Sequence, residues 1–274
     1  MTIAAHDIDV DAVTQLIAQV ARDAIMPKFQ RLRDDEVHHK ATAGHVDDIV
    51  TVADRDAEAQ LTDGLISLMP SACVVAEEAS HGDPALIELV NGDRPVWIID
   101  PLDGTSNFAA GLDGFGTMVG FALGGDMQFA WIHLPARQEM WVAGSGAGTF
   151  LNGARNRVPP SENRTPRGAL FMRYMPAETG EHVLASTSGR IIAMKHTGAA
   201  AVEYTDVAQG RQEFAIYYRL LPWDHGAPAL VLRESGGAVE HMDGRPYTVR
   251  STNQITLVGR DREIVERLRG WLRQ

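Results

Sequence analysis

Residues 97–108 read Trp97-Ile98-Ile99-Asp100-Pro101-Leu102-Asp103-Gly104-Thr105-Ser106-Asn107-Phe108. An apolar run of strand character carries Asp100 to the end of a buried strand, and Pro101 and Gly104 then predict a sharp turn. The turn sends Asp100 and Asp103 into one small space. Two unpaired carboxylates there would repel and one would keep its proton, so the arrangement makes sense with a divalent cation between them. Gly104-Thr105 can open a helix whose free amide N–H groups suit a phosphate. Taken alone, Asp-x-x-Asp-Gly also reads as a surface turn, which these residue types favour.

Two distant segments repeat the device. Val74-Val75-Ala76-Glu77-Glu78 is a short apolar strand ending on acids, and Pro222-Trp223-Asp224 sets another acid before an apolar helical stretch. For Asp103 and Asp224 the competing reading is helix N-capping, and Asp54 equally reads as the cap that opens a helix.

The bulk numbers narrow the class of function. A chain of 274 residues, 45% hydrophobic and 22% charged, is of ordinary globular composition and can form one large domain or two joined ones. Its formal net charge of −11 argues against nucleic-acid binding, which depends on neutralising phosphates with Lys and Arg. The same field repels a phosphorylated small molecule unless local metal charge offsets it. The single cysteine, Cys73, excludes an internal disulfide and, beside Val74 and Val75, is expected to be a buried apolar thiol in a reducing compartment. Met1–Asp7 carries no basic and apolar leader pattern, which predicts an unprocessed, cytoplasmic protein. No apolar run reaches the ~18 residues a bilayer needs, so no membrane association is expected.

Several other chemistries lack their motifs. His38-His39 falls in a stretch read as a polar loop, and no His/Cys zinc spacing or Gly-x-Ser-x-Gly elbow occurs. Gly144-Ser145-Gly146-Ala147-Gly148 lacks the Gly-Lys-Ser/Thr ending of a phosphate loop and is read as a flexible turn before a hairpin at Phe150–Gly153.

Along the chain, Val10, Val13, Ile17, Val20 and Ala24 predict an amphipathic first helix that Pro27 kinks or ends. Ala57, Leu61, Leu65 and Leu68 predict a second helix following Asp54 and closed by Pro70. A meander follows, with strands at 118–123, 127–133 and 139–143. Residues 155–168, rich in Pro and Arg, are the expected connection between an N-terminal half (1–154) and a C-terminal half (155–274). The second half alternates a strand at 169–174, a helix near 179–186, a strand at 191–194 and a helix over 199–208, which argues for α/β.

In family order, the chain carries Asp48-Ile49-Val50-Thr51-Val52-Ala53-Asp54, Glu77-Glu78, Asp100-Pro101-Leu102-Asp103-Gly104-Thr105, and Trp223-Asp224 followed by Glu234-Ser235-Gly236-Gly237. It thereby resembles the inositol monophosphatase family, part of the group that includes fructose-1,6-bisphosphatase, over residues 10–250. The resemblance implies a layered αβαβα sandwich, an α+β half meeting an α/β half, and a homodimer. It implies a Mg²⁺-dependent phosphomonoesterase using about two or three ions, held by Glu77, Asp100, Asp103, Asp224 and the backbone carbonyl of Leu102. Glu78 is read as supporting Glu77 rather than ligating. Thr105 and Asp54 match the Thr–Asp pair that orients and deprotonates the attacking water. Gly104, Thr105, Ser106, Gly198, Ala200, Tyr217 and Arg219 are the candidate substrate contacts, with Arg173 beside them.

Departures from the family bear on the substrate. Tyr217 stands where inositol-specific members carry a Glu that contacts sugar hydroxyls, and His225-Gly226-Ala227-Pro228 replaces Ala-Ala-Gly, with Pro228 expected to delay the helix start. Alternatives within the enzyme class are therefore a 3′-phosphoadenosine 5′-phosphate, histidinol-phosphate or sugar-bisphosphate phosphatase. The alternative outside it is a non-catalytic phosphometabolite-binding regulatory protein.

Overall fold

The computed structural model describes residues 8–42, 45–161 and 165–274, with backbone alone at 34, 41, 42 and 45–48. The leader reading at Met1–Asp7, the Asp48 side chain and part of the 155–168 connection lie outside the described residues.

Chain order begins with α1 (Val10–Val20), continued by a wider turn at Ala21–Ile25 that ends before Pro27. Next come the antiparallel ribbon of β1 (Val37–Thr42) and β2 (His45–Thr51) and then α2 (Val52–Leu68). His38 and His39 therefore lie in β1 rather than in a loop. A seven-stranded sheet follows in sequence order: β3 (Cys73–Ala76), β4 (Val96–Asp103), β5 (Gly116–Leu123), β6 (Asp126–Leu134), β7 (Glu139–Gly144), β8 (Gly148–Leu151) and β9 (Ala154–Asn156). Its pairings are antiparallel except β3 with β4. Two short helices, α3 (Glu77–Gly82) and α4 (Thr105–Ala109), leave the ends of β3 and β4.

The remainder forms β10 (Arg167–Leu170), α5 (Ala177–Thr187), β11 (Ile192–Met194), α6 (Ala200–Ala208), β12 (Phe214–Tyr217), α7 (Pro222–Glu234), β13 (Ala238–His241), β14 (Thr256–Gly259) and α8 (Arg262–Leu272). The five strands make a second sheet in the order β11-β10-β12-β14-β13.

Burial explains the stacking. Val13, Ile17 and Val20 of α1 and Ala57, Leu61 and Leu65 of α2 pack on Trp97, Ile99, Phe121 and Trp131 of the first sheet. Trp131 anchors the layer further by donating its indole N–H to Thr14 Oγ1 at 3.0 Å. Leu68 departs from the expected stripe: it is 44% exposed, and Met69, one residue on, is buried instead. α6 and α7 are buried nearly all round, as helices between two sheets must be, and they fill the space between the seven- and five-stranded sheets. On the far face, Ile264, Val265 and Leu268 of α8 cover Phe214, Ile216 and Leu257 together with Val183 of α5. The result is the layered αβαβα sandwich.

Two local outcomes differ from expectation for backbone reasons. Pro228 lies inside α7 rather than delaying it, since the helix starts with Pro222 at its first position, where a missing N–H costs nothing. The strand expected over 169–174 is β10, ending at Leu170; the chain then turns, with Met175 N–H donating to the Met172 carbonyl at 3.0 Å. The glycine-rich turn at 144–148 is pinned: Gly146 and Gly148 donate their N–H groups to the Glu234 carboxylate at 2.8 and 2.9 Å. A side chain of this protein thus takes the anion's place in that turn.

Candidate active site

β4 does not end at Asp100. It runs on to Asp103, and the pairing with β5 sets Asp100 opposite Met118 and Asp103 opposite Gly116, so three steps on one strand face two on the other. In a regular strand, residues three apart point to opposite faces. This one-residue bulge returns Asp103 to the side of Asp100. Pro101 is tolerated because β3 pairs with β4 only up to Ile99, and Thr117 Oγ1 pins the bulge by donating to the Pro101 carbonyl at 2.9 Å. The sharp turn falls instead at Gly104, with φ of +81°. A Cβ there would sit 2.6 Å from the Gly114 carbonyl oxygen, so both conformation and space demand glycine.

Glu77, Asp100, Leu102, Asp103, Gly104, Thr105, Ser106, Gly198, Ala200, Tyr217, Arg219 and Asp224 all line one cavity of about 230 Å³, and Arg173 lies at it too. Asp54 does not line it; fully buried, it stands behind Thr105. It is neither helix cap nor surface residue. Thr51 caps α2, and Asp54, at the third helical position, closes the box: Asp54 Oδ2 accepts from Thr51 Oγ1 at 2.6 Å and Thr51 N–H at 2.8 Å. Asp54 Oδ1 lies 2.9 Å from Thr105 Oγ1, which is also 2.9 Å from the Leu102 carbonyl oxygen. Burial pushes the Asp54 carboxyl up to about 7, against the Thr51 bonds that favour its charged form.

Burial, with Glu77 and then the other acids around it, raises Asp100 well above the usual carboxylate range; burial with Asp224 does the same to Asp103. Asp103 is not the cap of α4. Its Oδ2 instead accepts from Ala201 N–H at 2.6 Å, fastening the end of β4 to the start of α6. Asp224 sits in the first turn of α7, 3.6 Å from the Arg219 guanidinium. Lys40 reaches Glu77 and Glu78 at 2.6 and 2.7 Å, and although burial opposes its charge, the two acids outweigh it and raise the ammonium. Among the described residues, no three His, Cys, Asp or Glu side chains form a ready-made metal cage. The donor set nonetheless fits Mg²⁺, which takes hard oxygens and needs few carboxylates because it keeps waters. Acids held this far up by burial and by one another are a cluster short of positive charge.

Lys40 and Glu58 were not among the residues singled out from the sequence. Nothing in the sequence around Lys40 signals its place. Glu58 lies four residues after Asp54, hence on the same helix face, and that spacing was a usable sign. Its carboxylate accepts the N–H groups of Glu78 and Ala79 at 2.7 and 2.8 Å and so holds the start of α3, where Glu77 stands. Burial pushes it up to about 7. Glu58→Ala, which strands both amides, is expected to cost about 1–3 kcal/mol in urea unfolding, and Glu58→Gln, which keeps one acceptor, less. Equal stability of all three proteins would contradict this.

In the cavity wall, His225 Nε2 lies 2.9 Å from the Arg219 carbonyl and Nδ1 lies 3.0 Å from Tyr204 Oη. A carbonyl only accepts, so Nε2 carries the proton and the Tyr204 hydroxyl donates to Nδ1. Burial pulls His225 down to about 3, keeping it neutral.

The chain has relatives among known proteins. The chain is 33% identical over 214 residues to the fructose-1,6-bisphosphatase/inositol-1-monophosphatase of Thermotoga maritima, covering 76% of this chain and 77% of that one. It is 32% identical over 216 residues to the Nus factor SuhB of Vibrio cholerae, with 76% and 77% covered. A solved Thermotoga maritima IMPase superposes with a TM-score of 0.78 at 26% identity over 96% of each chain. The family profile described as the inositol monophosphatase family matches residues 9–268, a span that takes in both sheets and every acid of the cavity, and the chain belongs to that family.

Proposed function

We propose that the protein is a Mg²⁺-dependent phosphomonoesterase acting on a small phosphorylated metabolite. Family membership supports a phosphatase of this family. The observation that carries the mechanism is the Thr105–Asp54 contact of 2.9 Å, with Asp54 pushed up to about 7, beside a cavity lined by four acids. A proton acceptor with that affinity is suited to work near neutral pH.

Glu77, Asp100, Asp103, Asp224 and the Leu102 carbonyl would hold Mg²⁺. When bound, the ion supplies positive charge for a phosphate dianion and Lewis acidity toward water. Thr105 orients the attacking water. The water oxygen forms the new bond to phosphorus, its proton passes by way of Thr105 Oγ1 to Asp54, and the ester P–O bond breaks as the leaving alcohol takes up a proton. Thr51 holds Asp54 in the orientation that receives the proton. Gly104, Ser106, Gly198 and Ala200 border the phosphate end of the cavity, and Tyr217, Arg219 and Arg173 the leaving-group end.

Halves at 1–154 and 155–274, with the last acid and the leaving-group wall in the second, complete the reading, together with a homodimer in the cytoplasm. Among the described residues no helix is long and apolar enough to cross a membrane.

Phosphate release from a panel of phosphomonoesters tests the function. Activity is expected with Mg²⁺ and is expected to fall to background in EDTA, because an acidic cavity in an acidic protein cannot hold a phosphate dianion unaided. Full activity in metal-free protein would sink the reading, and no activity with any ester would favour the regulatory alternative.

A further inference from the structure

Between the end of β12 at Tyr217 and the start of α7 at Pro222 runs a strap, residues 218–221, that carries Arg219 along the cavity. A segment outside helix and sheet must find partners for its backbone polar groups elsewhere, and three consecutive residues here do so. The Tyr218 carbonyl accepts the Gln254 N–H at 3.0 Å, and the Leu220 N–H donates to Asn253 Oδ1 at 2.9 Å. The Arg219 carbonyl between them accepts the His225 Nε2–H at 2.9 Å. No side chain caps α7, so His225 ties the first turn of the helix back to the strap. Held there, the Arg219 guanidinium lies 3.6 Å from the Asp224 carboxylate and 3.6 Å from the centre of the Tyr174 ring.

Packing alone does not account for an imidazole at this place. His225 is 2% exposed, with the rings of Tyr217, Tyr204 and Tyr247 around it at 4.7, 5.9 and 6.0 Å. An apolar side chain would fill that space without needing a hydrogen bond, whereas a buried imidazole is tolerated only when its nitrogens are satisfied. Both are. The Tyr204 hydroxyl donates to Nδ1 at 3.0 Å, which leaves the proton on Nε2, the atom that reaches the Arg219 carbonyl. Tyr204 stands on α6, the helix whose Ala201 N–H also holds Asp103. One bond of the histidine thus ends in the middle layer and the other on the wall that faces the leaving group. We propose that His225 is a positioning residue for the leaving-group end of the cavity: its Nε2–H fixes the Arg219 carbonyl and so aims the guanidinium at the leaving alcohol, while Tyr204 fixes the tautomer that makes this possible. The inference rests on the phosphomonoesterase reading above.

Two amide variants separate the bonds. His225→Asn sets an oxygen in the place of Nδ1 and keeps an acceptor for Tyr204, but it falls short of the Arg219 carbonyl. His225→Gln carries an amide N–H to the place of Nε2 and keeps the Arg219 bond while giving up that of Tyr204. Each variant loses one buried hydrogen bond, so a purely structural histidine gives both a similar fall in melting temperature and the same KM. Positioning predicts a split. With Mg²⁺ and glycerol 2-phosphate or 4-nitrophenyl phosphate, KM for His225→Asn is expected to rise about three- to tenfold, the scale of one buried hydrogen bond, with kcat near wild type. KM for His225→Gln should stay within about twofold of wild type. In an Arg219→Ala background His225→Asn should raise KM no further, because residues acting through one another are not additive. Amide exchange across 218–221, read without substrate, should quicken in His225→Asn and not in His225→Gln. Equal KM for the Asn and Gln variants, or an undiminished rise on top of Arg219→Ala, would overturn the positioning role and leave the phosphomonoesterase reading standing. Turnover of no ester by wild type would sink that reading instead, and the exchange comparison would then uphold or overturn the hold on Arg219 by itself.

Discussion

Asp54→Asn is expected to lower kcat by about two to four orders of magnitude with little change in Mg²⁺ or substrate affinity, the range for losing a positioned general base. Asparagine keeps the size of the side chain and one oxygen to accept from Thr51, but it cannot take up a proton. Thr105→Ala should act alike, since the Thr105 hydroxyl is the group that faces Asp54 across 2.9 Å. The double variant should be little worse than either single one, because residues acting as a unit are non-additive. Asp54 sits up at about 7 in the metal-free protein, so kcat should rise with pH along a limb at or below that value once nearby cation charge favours the carboxylate. That limb should vanish in Asp54→Asn. Calorimetric Mg²⁺ titration beside steady-state kinetics decides it: a variant that lost Mg²⁺ binding yet kept wild-type kcat at saturating metal would move Asp54 into the ligand set.

Asp100→Asn should reduce turnover by at least about two to three orders of magnitude, the scale for removing one group that fixes charge at the reacting centre. Its effect on folding should run the other way. Asp100 is held well above its ordinary range by burial first and then by Glu77, Asp103 and Asp224, so in the metal-free protein it binds its proton more tightly folded than unfolded. Such a group contributes stability that is complete below the unfolded carboxylate range, near 4, and lost as pH rises through the folded value. Metal-free wild type should therefore melt at falling temperature from about pH 4 upward. Metal-free Asp100→Asn, neutral throughout and still able to accept the Leu102 N–H as Asp100 does at 3.1 Å, should melt no lower at pH 7 and above. If Asp100→Asn unfolded instead, the acid would be structural and its assignment to metal would fall. Mg²⁺ should raise the melting temperature of wild type and leave that of the variant nearly unmoved.

Which residues line the cavity was largely readable in one dimension, because patterns of residue type and short spacing leave local marks. An apolar run ending on an acid, a Pro and a Gly at the turn, and a Thr after the Gly are patterns of residue type and short spacing, and they picked out Asp100, Asp103, Gly104 and Thr105. Helical periodicity picked out the buried faces of α1 and α2 for the same reason. The amphipathic stripe is written at fixed intervals along the chain, and it departed at Leu68, where the burial passes to Met69 as the helix ends.

What the tertiary structure decided was how those residues meet. Strand alternation alone would send Asp100 and Asp103 to opposite faces; the bulge at Pro101-Leu102 that corrects this depends on a register with β5 that no local spacing encodes. The partners of the acids come from remote segments: Lys40 on Glu77, Ala201 N–H on Asp103, Glu58 on the start of α3. Tyr217 was legible as a departure from a family pattern, but its place in a column with Tyr204 and Phe171 arises only where β12, α6 and the end of β10 pack together. Residue type and short-range period are properties of the sequence by itself, whereas burial, register and the pairing of distant charges depend on which surfaces exclude water together, and that is settled only when the layers close.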